Sequence, residues 1–315
     1  MQTSMKPNMR SRIGTVGKGF KENKQIYLMI LPNVIMFALF SIYPIGWVLK
    51  YMFYQYDKIN DPIFIGLDNF VRIFTRDPYF WKTVTNTFYY VGGKLLITLP
   101  VAFVIAVLLN KKFFGSRLMQ SIVFMPTIMS ASVMALIFYL ILNPYSGALN
   151  TAMMKMNLIS VPINWLSYYN ALDTVIIVGV WGAIGNYMVY FLAGLQSVPE
   201  DIYESAELDG IGPVRKMFCI TIPMMTPVLK TVVMLVLISS FQDIQSIMVL
   251  TEGGPNGASD VMFLYVYRMF FPISATTAST SQFGYGAALS VVCASLIGAV
   301  TILYLRATRK VDDMF

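Results

Sequence analysis

A chain of 315 residues that is 57% hydrophobic and only 12% charged lies far from a soluble domain, in which about a quarter of residues are charged. Its mean hydropathy of +0.63 assigns it to a lipid bilayer. The net charge of +7 does not point to nucleic acid, because the basic residues sit at helix ends and at the amino terminus, while the absence of histidine and the presence of only two cysteines remove histidine bases, Ser-His-Asp triads, histidine metal sites and a disulfide framework.

In chain order, residues 1–24 form a basic tail with Lys6, Arg10, Arg12, Lys18, Lys21 and Lys24. Its glycine-rich stretch Gly14-Thr15-Val16-Gly17-Lys18-Gly19 lacks the spacing of a phosphate-binding loop and the strand that must precede one, so the chain holds no ATP by that route. The apolar run 25–48 is too long for a cleaved signal and is a retained first span. Five more runs, at 83–109, 119–142, 174–195, 227–250 and 285–305, complete an all-α, six-span membrane domain over 25–310, followed by a short tail at 311–315. Lys and Arg in the tail, at Lys111, Lys112, Arg117, Arg215 and Lys216, and at Arg306, Arg309 and Lys310 outnumber those of the opposite loops two to one. Both termini and the 197–226 loop are therefore expected in the cytoplasm. Lys94, in the outward half of the second span, is expected to snorkel to the external interface. In the fourth span Gly179, Gly182 and Gly185 recur every third residue, which lets another helix approach closely.

The loop at 197–226 is the long polar segment that also reads as folded. Ser197 and Glu200 have the S-x-x-E spacing of a capping box, so a short helix is expected from there to Gly210, and a second from Pro213. Glu200, Asp201, Glu204, Glu207 and Asp209 make the first helix acidic, and Ser205 and Ala206 keep its middle slim. Glu204-Ser205-Ala206, then Gly210, then Ile220-x-Ile222-Pro223 resembles the EAA loop of ABC importer permeases. Outside the membrane, Ile65 to Phe70, Asn86-Thr87, Gly147-x-Leu149-Asn150, Trp165-Leu166-Ser167 and Thr251-Glu252-Gly253-Gly254-Pro255 resemble the loops of carbohydrate permeases of the maltose type, with a MetI-like fold. The likeness implies one half of a sugar-importing pore in a bacterial inner membrane. It further implies a second homologous permease, an ATPase dimer that carries the ATP and Mg, and an extracytoplasmic solute-binding protein. No cofactor is then expected in this chain, and no enzymatic activity. Glu204, Ser205, Ala206, Asp209 and Gly210 are the residues expected to meet the ATPase.

Substrate contacts are expected from polar residues facing the bundle interior, where such groups are costly unless used. Trp181, Asn186 and Tyr187 offer an aromatic face with polar edges, and Ser240, Gln242 and Asp243 offer hydroxyl, amide and carboxylate to sugar hydroxyls. In the resembled family the path is lined at positions that correspond to Ala183, Asn186, Ser240 and Asp243. An alternative places Asp243 at the outer membrane edge and makes Trp181 an interfacial anchor. A different class of function, a carrier driven by an ion gradient, needs a membrane-centre carboxylate, and only Asp243 is available. A membrane-embedded enzyme lacks paired carboxylates in the spans and has little chemistry to work with.

Overall fold

The computed structural model describes residues 24–111, 113–271 and 281–312, with side chains up to 309. The basic tail with its glycine-rich stretch, Lys112 and the side chain of Lys310 lie outside the described residues. The first span is α1 (Lys24–Tyr51), which passes through a π turn at Ala38–Ile42 just ahead of Pro44. Outside the membrane a two-stranded antiparallel ribbon of β1 (Tyr54–Gln55) and β2 (Ile63–Phe64) leads to the short α2 (Asp68–Thr75). The second span, α3 (Pro78–Asn110), starts where the Asp77 carboxylate accepts from Phe80 N at 3.0 Å and Pro78 fixes the first turn. Its 33 residues exceed the roughly 20 needed to cross the hydrocarbon, so its outer turns project beyond it.

The expected third span is not one helix. It divides into α4 (Ser116–Ile128) and α5 (Ala131–Ile141), bent by 96°. Pro126 weakens the last turn of α4, and Ser130 restarts the chain by accepting from Val133 N at 3.3 Å. The short α6 (Ala148–Lys155) follows outside, and α7 (Ala171–Gln196) is the fourth span. Next come α8 (Glu200–Leu208) and α9 (Pro213–Met224), which bends by 73° into α10 (Thr226–Phe241). The fifth span was expected to continue to Leu250. Instead α10 ends at Phe241 and α11 (Gln245–Leu250) begins after a break, so Asp243 sits between helices. The short α12 (Met262–Phe270) and the sixth span α13 (Phe283–Asp312) complete the chain. Four of these helices can each cross a membrane alone, and six spans result if each bent pair counts as one.

No capping box forms at Ser197. That residue is still in helical conformation at the end of α7, so its hydroxyl turns back and donates to Gly194 O at 2.8 Å, and Pro199 precedes α8 instead. The glycine stripe does allow close approach. A Cβ on Gly185 would lie 2.5 Å from Val123 O of α4, and one on Gly179 would lie 2.6 Å from the Tyr90 hydroxyl of α3.

The core is in two parts. One cluster contains Phe80, Tyr90, Val175, Met262 and Leu289, and a second contains Ala106, Met188, Phe191, Met225 and Val236. The stretches of α3, α7 and α10 that join the two clusters carry Lys94 and Thr98, Gly182 and Asn186, and Ser239 and Ser240, of which Lys94, Gly182, Asn186 and Ser239 line one cavity. A polar stratum thus crosses the middle of the bundle.

The loop motifs at Asn69, Asn86 and Asn150 turn out to be clasps. Asn69 donates to Met52 O and Tyr54 O and ties α2 to the end of the first span. Asn86 donates to Gly257 O and Asp260 O, and Thr87 Oγ1 accepts from Met262 N, so the loop after Thr251 is pinned to α3. Asn150 accepts from Trp165 Nε1 and donates to Pro144 O and Ile163 O. At the centre, Asp77 Oδ2 accepts from Tyr265 at 2.7 Å and Tyr285 at 2.6 Å, joining α3, α12 and α13.

Candidate functional site

The polar stratum opens into a cavity of about 300 Å³ walled by α3, α4, α5, α7, α10 and the break that follows α10. Of the expected path residues, Ala183, Asn186, Tyr187 and Asp243 line it. Tyr187 is held there by a 2.8 Å hydrogen bond with Ser239. The other three do not line it. Trp181 is 40% exposed and packs edge-on against Phe138 of α5 at 5.2 Å, on the outside of the bundle. Gln242 is exposed, and Ser240 is buried with a hydroxyl that finds no partner among the described residues.

Lys94 does not snorkel. It is 6% exposed, and its ammonium lies 2.7 Å from Asp243 Oδ2. The Tyr90 hydroxyl donates to the same oxygen at 2.6 Å and itself accepts from Lys94 at 3.2 Å. Snorkelling needs a free route to water, whereas a carboxylate exposed by a helix break offers a nearer counter-charge. Asp243 consequently stands on the cavity wall, paired with Lys94. Removing one member of a buried pair of this kind costs about 3–5 kcal/mol, because the other charge is left uncompensated. Sequence reasoning missed Tyr90. The signal was the i, i+4 spacing of Tyr90 and Lys94, which puts both on one face of α3, and it was readable only with the facing Gly179 in hand.

At the end of the bundle opposite the Asp77 cluster, α8 presents Glu204, Ser205, Asp209 and Gly210 outward. Ala206 faces the other way. At 3% exposure it packs against its own chain, so its small side chain lets α8 lie close to the membrane domain and does not thin the outer face. Gly210 terminates the helix at φ +70°, with Gly210 N donating to Glu207 O and Ile211 N to Ala206 O, a turn that only glycine adopts without strain. Two ties fasten α8 to α9. The Tyr203 and Thr221 hydroxyls share a 3.1 Å hydrogen bond, and Lys216 pairs with Glu207 at 2.7 Å. Lys216 holds the exposed Glu207 carboxyl below its ordinary range, chiefly through that hydrogen bond. The outward face also carries Leu208, Val214 and Phe218, all strongly exposed and not singled out from the sequence.

Comparison with known proteins agrees with this arrangement. Residues 98–312 match the family described as "Binding-protein-dependent transport system inner membrane component". The probable ABC transporter permease protein YesP of Bacillus subtilis is 30% identical over 288 residues, covering 91% of each chain. The arabinooligosaccharides transport system permease protein AraP of Bacillus subtilis is 30% identical over 89% of this chain and 87% of its own. The sn-glycerol-3-phosphate transport system permease protein UgpA of Yersinia pestis is 29% identical over 93% and 96%. In fold, the chain is similar to a subunit of a bacterial ABC transporter for alginate import, with a TM-score of 0.80 over 94% of this chain and 99% of that one at 22% identity. The chain belongs to the binding-protein-dependent transport system inner membrane components, the permease subunits of ABC importers.

Proposed function

We infer that this chain forms one half of the translocation pore of an ATP-driven importer of sugars or oligosaccharides. The observation that carries this reading is the continuous connection from α8 to the cavity. An outward acidic helix is strapped to α9, α9 turns directly into α10, and α10 ends at the break that holds Asp243 on the cavity wall. Movement imposed on α8 from the cytosol is thereby delivered to the polar stratum. The names of the relatives AraP and UgpA support a polyhydroxylated cargo. Hydrogen-bonding groups at Asn186, Tyr187, Ser239 and Asp243 suit such a cargo.

The assembly follows from counting. One chain supplies one α8, and an ATPase dimer has two clefts to fill, so a second, homologous permease provides the other half. ATP and Mg reside on the ATPases, an extracytoplasmic solute-binding protein delivers the sugar, and both termini face the cytoplasm of a bacterial inner membrane. The path residues are Ala183, Asn186, Tyr187 and Asp243, and Glu204, Ser205, Asp209 and Gly210 are the coupling residues. A gradient-driven carrier would need a carboxylate free to take up its ion, and Asp243 is engaged by Lys94 and Tyr90.

Uptake into proteoliposomes that contain the complete complex tests the reading. Sugar delivered by the binding protein should enter only with MgATP, and Glu204→Lys should lower that uptake at least tenfold. Undiminished uptake without ATP would contradict it.

A further inference from the structure

Lys94 and Asp243 are the two charged residues in the lining of the central cavity, and they lie against each other at 2.7 Å. The rest of the polar lining, including Thr127, Asn186, Tyr187 and Ser239, is uncharged at neutral pH. A lone ammonium in such a wall would attract carboxylate or phosphate groups strongly, since nothing in the low-dielectric surroundings screens it. A lone carboxylate would repel them. Paired at contact distance, the two charges leave only a dipole, whose influence dies away within a few ångströms of the wall. The bonds from Tyr90 and Lys94 end on the same oxygen of Asp243, Oδ2, so the carboxylate is oriented as well as neutralised. Gly179 makes room for this arrangement, because a side chain there would meet both the Tyr90 hydroxyl and Lys94 Cε.

We propose that the Lys94–Asp243 pair is the charge-selecting element of the path: it makes the cavity electrically neutral, so that uncharged saccharides pass and saccharides carrying carboxylate or phosphate gain nothing from Lys94. The proposal rests on the pore reading and deepens it, by naming the substrate class and the two residues that set it. Asp243 contacts the sugar directly. Lys94 and Tyr90 are positioning residues that hold the carboxylate in place.

The potential of the cavity can be read without knowing the sugar. Ala183 lines the cavity, so Ala183→Cys, in a Cys219→Ser background with the buried Cys293 retained, places a thiol on the wall. The complete importer, turning over with MgATP in proteoliposomes, is treated with an anionic (sulfonatoethyl) and a cationic (trimethylammonioethyl) methanethiosulfonate, each rate being normalised to that of a free thiol. With the pair intact the two normalised rates should agree within about threefold. One uncompensated unit charge about 10 Å away, at an effective dielectric near 20, changes the local concentration of a monovalent ion by roughly tenfold. Asp243→Asn should therefore favour the anionic reagent at least tenfold, Lys94→Met should favour the cationic one as much, and the double variant should regain indifference.

A wild-type preference for the anionic reagent beyond tenfold, or single variants that leave the ratio unchanged, would overturn the proposal while leaving the pore reading intact. If a single variant does not assemble, the wild-type ratio alone still decides. Modification of none of these thiols in an assembled complex that hydrolyses ATP would contradict the pore reading as well as the proposal, and is distinguishable for that reason.

Discussion

On the outer side, Asp77 gathers a backbone amide and two tyrosine hydroxyls from three helices, and Asn69, Asn86 and Asn150 each close a loop with at least two hydrogen bonds. At the opposite end, α8 is tied to α9 by one pair of hydroxyls and one half-exposed ion pair, and between the two ends the spans around the cavity are bent or broken at 129–130 and 242–244. The difference separates a densely tied frame from a sparsely tied part. Buried amides and carboxylates with every partner in place lock geometry, whereas helix breaks and exposed ties permit it to change at low cost. An alternating-access pore needs both, because its cavity must open to one face and then the other while the bundle stays intact.

The comparison can be broken at the frame first. Asp77→Leu strands the Tyr265 and Tyr285 hydroxyls, and at about 1–3 kcal/mol for each unsatisfied buried group the loss should be on the order of 3 kcal/mol. A fall of up to about 5 °C in the thermal unfolding of this chain within the purified complex is the expected reading. A smaller effect is expected on the sparsely tied side. Tyr203→Phe removes the tie to Thr221 for about 1 kcal/mol, yet it should lower sugar uptake several-fold more than ATP hydrolysis, measured together in proteoliposomes. Equal losses of the two would mean that the tie is merely structural.

The smallest effect concerns pH. Glu207 titrates below its ordinary value because of Lys216, so whatever the pair contributes is present above the unfolded carboxylate value and is lost only as pH falls through the lower, folded one. Acidifying from pH 7 to about 5.5, still above the ordinary value of ~4.3 for glutamate, should leave the hydrogen-exchange protection factors of α8, corrected for the intrinsic exchange rate at each pH, unchanged. Lower protection over that range would contradict the assignment.

Much of this was legible in the sequence, and for local reasons. Four of the six apolar runs announce their spans through hydropathy, and the acidic helix ending at Gly210 announces itself through composition and a glycine that its φ of +70° requires. The break after Phe241 was not legible, because Ser240-Phe241-Gln242-Asp243-Ile244-Gln245 contains neither glycine nor proline and the apolar run resumes beyond it. The fate of Lys94 was hidden for a related reason. Its partner is 149 residues away and becomes available only because of that break. Ser197 misled in the opposite way, since S-x-x-E spacing does not reveal that the serine still belongs to the preceding helix.

The most direct test of the central claim, that α8 is where the pore takes up the movement of its ATPase, is co-purification from native membranes of the ATPase with wild type, with Glu204→Lys and with Asp77→Asn. The account predicts that ATPase elutes with wild type and with Asp77→Asn, whose change lies on the opposite face, and is lost with Glu204→Lys. ATPase that remains bound at wild-type levels, and still drives uptake, with Glu204→Lys would contradict it.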